Sequence, residues 1–232
     1  ASSAHPGNGV VPVDWSRRLL LPPGADASAK TLLAARALRA MADSYMAVLL
    51  PAYLLAIGLG TLEVGIIATA TMIGSALATL AIGAWGHRLP SRQLLRGAAL
   101  LMAATGVCFA GSSSFWPLLL VAFVGTLNPG SGDVSVFLPL EHARLAAAAT
   151  GQARTALFAR YGMLGALFAA LGALAAGVPD WLVSHAAASR LVALRAMFLL
   201  YGALGLVVWW LYRRLAADVA TGQSREFAPL GS

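Results

Sequence analysis

Charge is scarce in this sequence: of 232 residues only 11% are Asp, Glu, Lys or Arg, against 59% that are hydrophobic. Soluble domains average roughly 25% charged residues, and a water-facing surface cannot be built from half of that. Acidic residues are the rarest, nine against sixteen basic ones. The net charge of +7 is spread between long apolar runs rather than gathered on one face, which excludes a nucleic-acid-binding surface. Cysteine is nearly absent. Cys108 stands alone inside an apolar run, so no intrachain disulfide or cysteine metal site can form. Metal-ligand spacings, phosphate loops and nucleotide fingerprints are also missing, and no cofactor is expected.

What is present is hydrophobic length. About 20 mostly apolar residues cross roughly 30 Å of hydrocarbon, and six stretches meet that test: Leu33–Leu59, Val64–Trp85, Leu94–Gly111, Phe115–Leu140, Thr155–Gly177 and Leu194–Tyr212. None alternates apolar and polar residues as a membrane strand would. The pattern predicts an all-α integral membrane bundle over residues 32–214. A flexible tail covers residues 1–31, rich in Pro, Gly, Ser and Ala, and a polar linker covers 215–232.

The basic residues alternate between the two sides. Arg17, Arg18, Lys30, Arg36 and Arg39 lie before or early in span 1, and Arg88, Arg92 and Arg96 between spans 2 and 3. Arg144, Arg154 and Arg160 surround the link after span 4, and Arg213, Arg214 and Arg225 follow span 6. Only Arg190 and Arg195 fall on the other side. The positive-inside rule then places both termini in the cytoplasm, in an inner or plasma membrane. Trp85, Trp116, Trp181, Trp209 and Trp210 sit near span ends, where amphipathic rings favour headgroups. Small residues four apart, such as Gly74 with Ala78 and Gly172 with Ala176, would let helices approach closely.

Ionisable groups at membrane depth are costly and mark functional candidates. Arg39 and Asp43, four apart on span 1, can share a face. Taking Glu141 as the cytoplasmic edge, Asp133 lies roughly 12 Å deep and Arg160 roughly 9 Å deep, at 1.5 Å per residue. Opposite charges on three helices therefore reach similar depth, as a static ion cluster or as a gate or proton-coupled site. Asp133 follows Asn128-Pro129-Gly130-Ser131-Gly132, which predicts a kinked or unwound span 4. Broken helices of this kind often line transporter sites. Tyr53, Asn128 and Ser131 are further candidates to line such a cavity. Tyr45, two residues from Asp43, points to nearly the opposite face. Span 6 has no charge from Met197 to Tyr212 and is expected to face lipid.

Six spans with Gly-Ser-Gly in the fourth resemble rhomboid-type intramembrane proteases. That family's motif needs glycine where Pro129 stands, and a histidine on the sixth span. His5, His87, His142 and His185 all lie in tails or links, so no Ser–His pair forms at depth and an enzyme is not expected.

The link after span 2 reads Gly83-Ala84-Trp85-Gly86-His87-Arg88-Leu89-Pro90-Ser91-Arg92-Gln93-Leu94-Leu95. It resembles the signature loop of the major facilitator superfamily, Gly-x-Leu-Ala-Asp-Arg-x-Gly-Arg-Arg, at Gly83, Arg88 and Arg92; His87 stands at the aspartate position. The resemblance covers roughly Leu32 to Arg214 and implies the N-terminal half of a twelve-helix transporter, built as a nested three-plus-three repeat. By that resemblance spans 1 and 4 line a central cavity, where Asp43, Tyr53, Asn128 and Asp133 fall, and spans 3 and 6 face lipid. The implied activity is secondary transport of a small solute by alternating access, coupled to an ion or proton. The alternative is a non-transporting scaffold in the same bilayer. Six helices are half of such a path, so the partner expected is a missing C-terminal half or a second copy of the chain.

Overall fold

The structure, a computed structural model, describes residues 27–127, 135–149, 151–186 and 189–215, with Ala27, His87 and Ala186 described in backbone only. Every element among these residues is helical. The helices are α1 (Ala27–Ala56), α2 (Thr61–Trp85), α3 (Ser91–Gly111), α4 (Phe115–Val124), α5 (Phe137–Ala148), α6 (Gly151–Ala175), α7 (Val178–Ala186) and α8 (Arg190–Arg213). A 3-10 turn, Gly86–Arg88, joins α2 to α3.

Helices begin a few residues before the apolar runs because their first turns recruit polar caps. The Glu63 carboxylate turns back to accept the Gly60 N–H at 2.7 Å, and Ser189 accepts the Val192 N–H at the start of α8.

Two of the six expected spans differ from the sequence reading. α2, α3, the run Gly151–His185 and α8 are long and apolar enough to cross a membrane. α1 is long enough, but Lys30, Arg36, Arg39 and Asp43 make it less apolar, and it lies in the interior instead. Leu32, Ala35, Ala42, Tyr53 and Leu54 are all wholly buried. The face of a helix that packs against protein does not need to be lipid-compatible, and the exposed Val48 and Leu55 of α1 are apolar. The fourth span is interrupted: α4 stops at Val124, Gly125 is extended, and helix resumes at Phe137. The break begins before Pro129, and Asn128 to Asp133 lie outside the described residues.

The packing follows a repeat. α1 runs along α6, α2 along α4, and α3 along α8. Exchanging the first three spans for the last three turns the first contact into the second and leaves the third unchanged, as a three-plus-three repeat requires. Both exchanged contacts are close helix crossings at glycine. A Cβ on Gly74 of α2 would lie 1.8 Å from the Phe123 carbonyl oxygen of α4, and one on Gly172 of α6 would lie 2.2 Å from that of Met41 in α1.

Spans 3 and 6 were expected to be the lipid-facing ones, yet they are two-sided. α8 packs Leu194, Phe198, Tyr201 and Val208 inward and leaves Leu199, Leu206 and Trp210 exposed. The barest apolar segments are α2 and the run Gly151–His185, 28% and 17% buried, against 50% for α3 and 44% for α8. Their outer faces suit lipid or another helical unit and would not persist in water.

Candidate functional site

A carboxylate that the sequence reading placed at the cytoplasmic edge is the centre of the site. Glu141, on α5, is wholly buried. Its Oε2 accepts from the Arg39 Nη2 of α1 and from the Tyr161 hydroxyl of α6, and Oε1 accepts from the Tyr212 hydroxyl at the end of α8. Four helices are tied to one anion. With none of its side chain exposed, Glu141 is enclosed by these helices.

Arg39 is equally enclosed, 1% exposed. Its guanidinium lies 4.0 Å from the centre of the Phe137 ring, a cation–π contact that strengthens where water is excluded. Arg36, one turn earlier, stands over the Tyr161 ring at 5.2 Å. His142 packs edge-on against Phe158 and Tyr161. The Arg39 Nε and Nη1 groups have no hydrogen-bond partner among the described residues. One ion pair, two tyrosine hydroxyls and an aromatic shelf thus form a closed charge cluster.

Asp43 lies one turn beyond Arg39, but Arg39 hydrogen-bonds Glu141. Asp43 is half-buried and accepts from the Tyr201 hydroxyl of α8 at 3.2 Å. With that proton committed, Thr126 is the donor in its 3.3 Å contact with Tyr201. Thr126 belongs to the non-helical stretch after α4, so Asp43 is linked through Tyr201 to the break in span 4. Tyr45 points elsewhere, donating to the Met197 carbonyl at 3.4 Å.

The other expected site residues are dispersed. Tyr53 is wholly buried, stacks obliquely on Phe198 at 4.7 Å, and offers its hydroxyl to the carbonyls of Phe109 and Ser112, each 2.7 Å away. It closes the end of α3 and is not among the groups gathered at Asp43. Tyr53→Phe should therefore cost about 1–2 kcal/mol of stability, read as a lower unfolding temperature in detergent. Arg160 is half-buried on α6, beside Tyr161. Asn128, Ser131 and Asp133 lie outside the described residues. Among the described residues, no three His, Cys, Asp or Glu side chains gather to hold a metal ion. An open apolar groove of about 560 Å³ between α2 and Phe123 touches none of these ionisable groups.

Glu141 was missed because depth was counted along span 4 as if it were one straight helix. The available signal was the pair Tyr161 and Tyr212, two hydroxyl donors on apolar spans with no acceptor side chain close to them in sequence.

The helical bundle with its three-plus-three packing and interior ion pair can be set against known proteins. The model of the Major Facilitator Superfamily matches residues 32–230. The chain belongs to that superfamily. Members of that superfamily are transporters, and this chain is a multi-pass membrane protein. It is similar to an uncharacterized membrane protein of Saccharomyces cerevisiae, 29% identical over 178 residues. The match covers 74% of this chain and 39% of the yeast protein, so the chain spans about two fifths of that relative's length. No solved structure matches it. The superfamily's loop pattern falls where α2 turns into α3: Gly83 in the last turn of α2, Arg88 in the 3-10 turn, and Arg92 in the first turn of α3. Arg92 donates to the Arg213 carbonyl at the end of α8, joining the third span to the sixth.

Proposed function

We propose that this chain is a six-helix half of a secondary transporter that moves a small solute by alternating access, coupled to a proton or another ion. The observation supporting this reading is the contrast between its two interior carboxylates. Glu141 has three donors and a buried counter-charge, so its charge is locked in place. Among the described residues Asp43 has one hydrogen bond, of 3.2 Å, and it is partly open, which leaves it able to exchange a proton or contact a solute. Asp133, Asn128 and Arg160 complete the site in this proposal, and the cytoplasm holds both termini. The complementary unit is a second six-helix bundle, a continuation of this chain or another copy, set against the bare faces of α2 and α6.

The reading is tested by flux. The full-length protein is reconstituted in vesicles and offered solutes that raise its unfolding temperature. Asp43→Asn should reduce ion-driven uptake at least tenfold while the protein still inserts and folds. Asp133→Asn should do the same. Uptake at the wild-type rate in Asp43→Asn would remove Asp43 from the mechanism, and normal insertion with no flux of any solute would favour a scaffold.

A further inference from the structure

One end of the α3–α8 pair carries an arrangement that the transport reading does not use. Arg96 of α3 and Arg213 of α8 both stand over the ring of Trp209, with guanidinium carbons 5.7 and 5.0 Å from its centre. Arg214 stands over the adjacent Trp210 ring at 3.5 Å. Arg92, one turn before Arg96, reaches the Arg213 carbonyl, and its Nε is buried without a hydrogen-bond partner among the described residues.

Guanidinium groups repel one another, and two of them share a single ring. Neither α3 nor α8 contains an Asp or Glu anywhere along its length. The carboxylates described elsewhere are engaged there: Glu141 by Arg39 and two tyrosines, Asp43 by Tyr201, Glu63 by the start of α2, and Asp180 opposite Arg190. The collar therefore concentrates positive charge against two indole rings with no described carboxylate beside it.

We propose that this arginine–tryptophan collar binds the phosphate headgroup of an anionic membrane lipid. Planar guanidinium groups match phosphate oxygens in pairs, and basic pockets between helix ends are suited to anionic headgroups. The rest of the lipid also has a place. Leu199, Leu206 and Trp210, spaced seven and then four residues apart, form one exposed apolar stripe on α8 leading to the collar. A general belt of topogenic arginines needs only charge. The collar differs in seating its guanidinium groups on indole rings, so its lipid affinity depends on shape as well as charge.

The test separates the two. The full-length protein in mild detergent is titrated with dioleoyl-phosphatidylglycerol, with dioleoyl-phosphatidylcholine as the zwitterionic control, and bound lipid is counted by native mass spectrometry. The wild type should retain phosphatidylglycerol in preference to phosphatidylcholine. The double variant Arg96→Lys/Arg214→Lys keeps every charge but loses the planar fork, and should bind phosphatidylglycerol about tenfold more weakly. Trp209→Leu/Trp210→Leu, which keeps all the arginines, should weaken binding in the same direction, and Arg190→Lys at the other end of α8 should not. Binding by both double variants as tight as that of the wild type would overturn the site and leave only a charged belt. Displacement of the lipid by millimolar inorganic phosphate would overturn it as well, because the acyl stripe would then contribute nothing.

Discussion

Replacing Glu141 by alanine should lower the stability of the bundle by about 3–5 kcal/mol, the usual cost of breaking a buried ion pair from one side. Arg39 would remain charged with 1% of its surface exposed, and the hydroxyls of Tyr161 and Tyr212 would lose their acceptor. Desolvation is the dominant effect. The lost attraction matters less than the charge left stranded in an interior closed to bulk solvent. Glu141→Gln should cost less, since an amide oxygen still accepts one hydroxyl. The double replacement Arg39→Met/Glu141→Leu should recover most of the loss, because two apolar side chains of similar volume remove both charges together. Thermal unfolding in detergent, read by circular dichroism, measures all three. A single Glu141→Ala variant as stable as the double one would show that water reaches Arg39.

The second large effect is steric. Gly74→Ala should cost about 1–3 kcal/mol or more, since the new methyl carbon would start 1.8 Å from the Phe123 carbonyl oxygen. Backbone on backbone cannot rotate away, so α2 and α4 must separate along the contact. Gly172→Ala should behave alike at the α1–α6 crossing, with 2.2 Å to the Met41 carbonyl oxygen. Gly162 on α6 has no atom within 4 Å of its would-be Cβ. Gly162→Ala should be neutral or gain up to about 1 kcal/mol from helix propensity. The three alanine variants differ only in what each glycine faces. Equal stability across them would argue against these crossings.

Small residues four apart were visible in the sequence on spans 2 and 5. Which of them meet a backbone was not, because rotation about a helix axis leaves no mark on composition. Gly162 and Gly172 sit on the same helix among similarly apolar sequence neighbours, and of the two Gly172 meets α1. The burial of α1 had the same origin. Read along the chain it was one of six equivalent spans, but its charges belong in the interior because Glu141, Tyr201 and Tyr212 come from other helices to meet them. The break after α4 was legible as a turn-prone stretch, although Gly125, not Pro129, marks where the helix stops.

Composition and hydrophobic length were enough to determine a helical membrane bundle, and the loop around Arg88 and Arg92 its superfamily. These follow from rules that act locally: hydrocarbon thickness sets span length, and helix hydrogen bonding has no rival in lipid. Partner choice was left to the tertiary structure. Arg39 is four residues from Asp43 and 102 from Glu141, yet it hydrogen-bonds Glu141. Folding brings Glu141 together with two tyrosines and a buried aromatic shelf, and a buried charge settles where the most donors and acceptors converge.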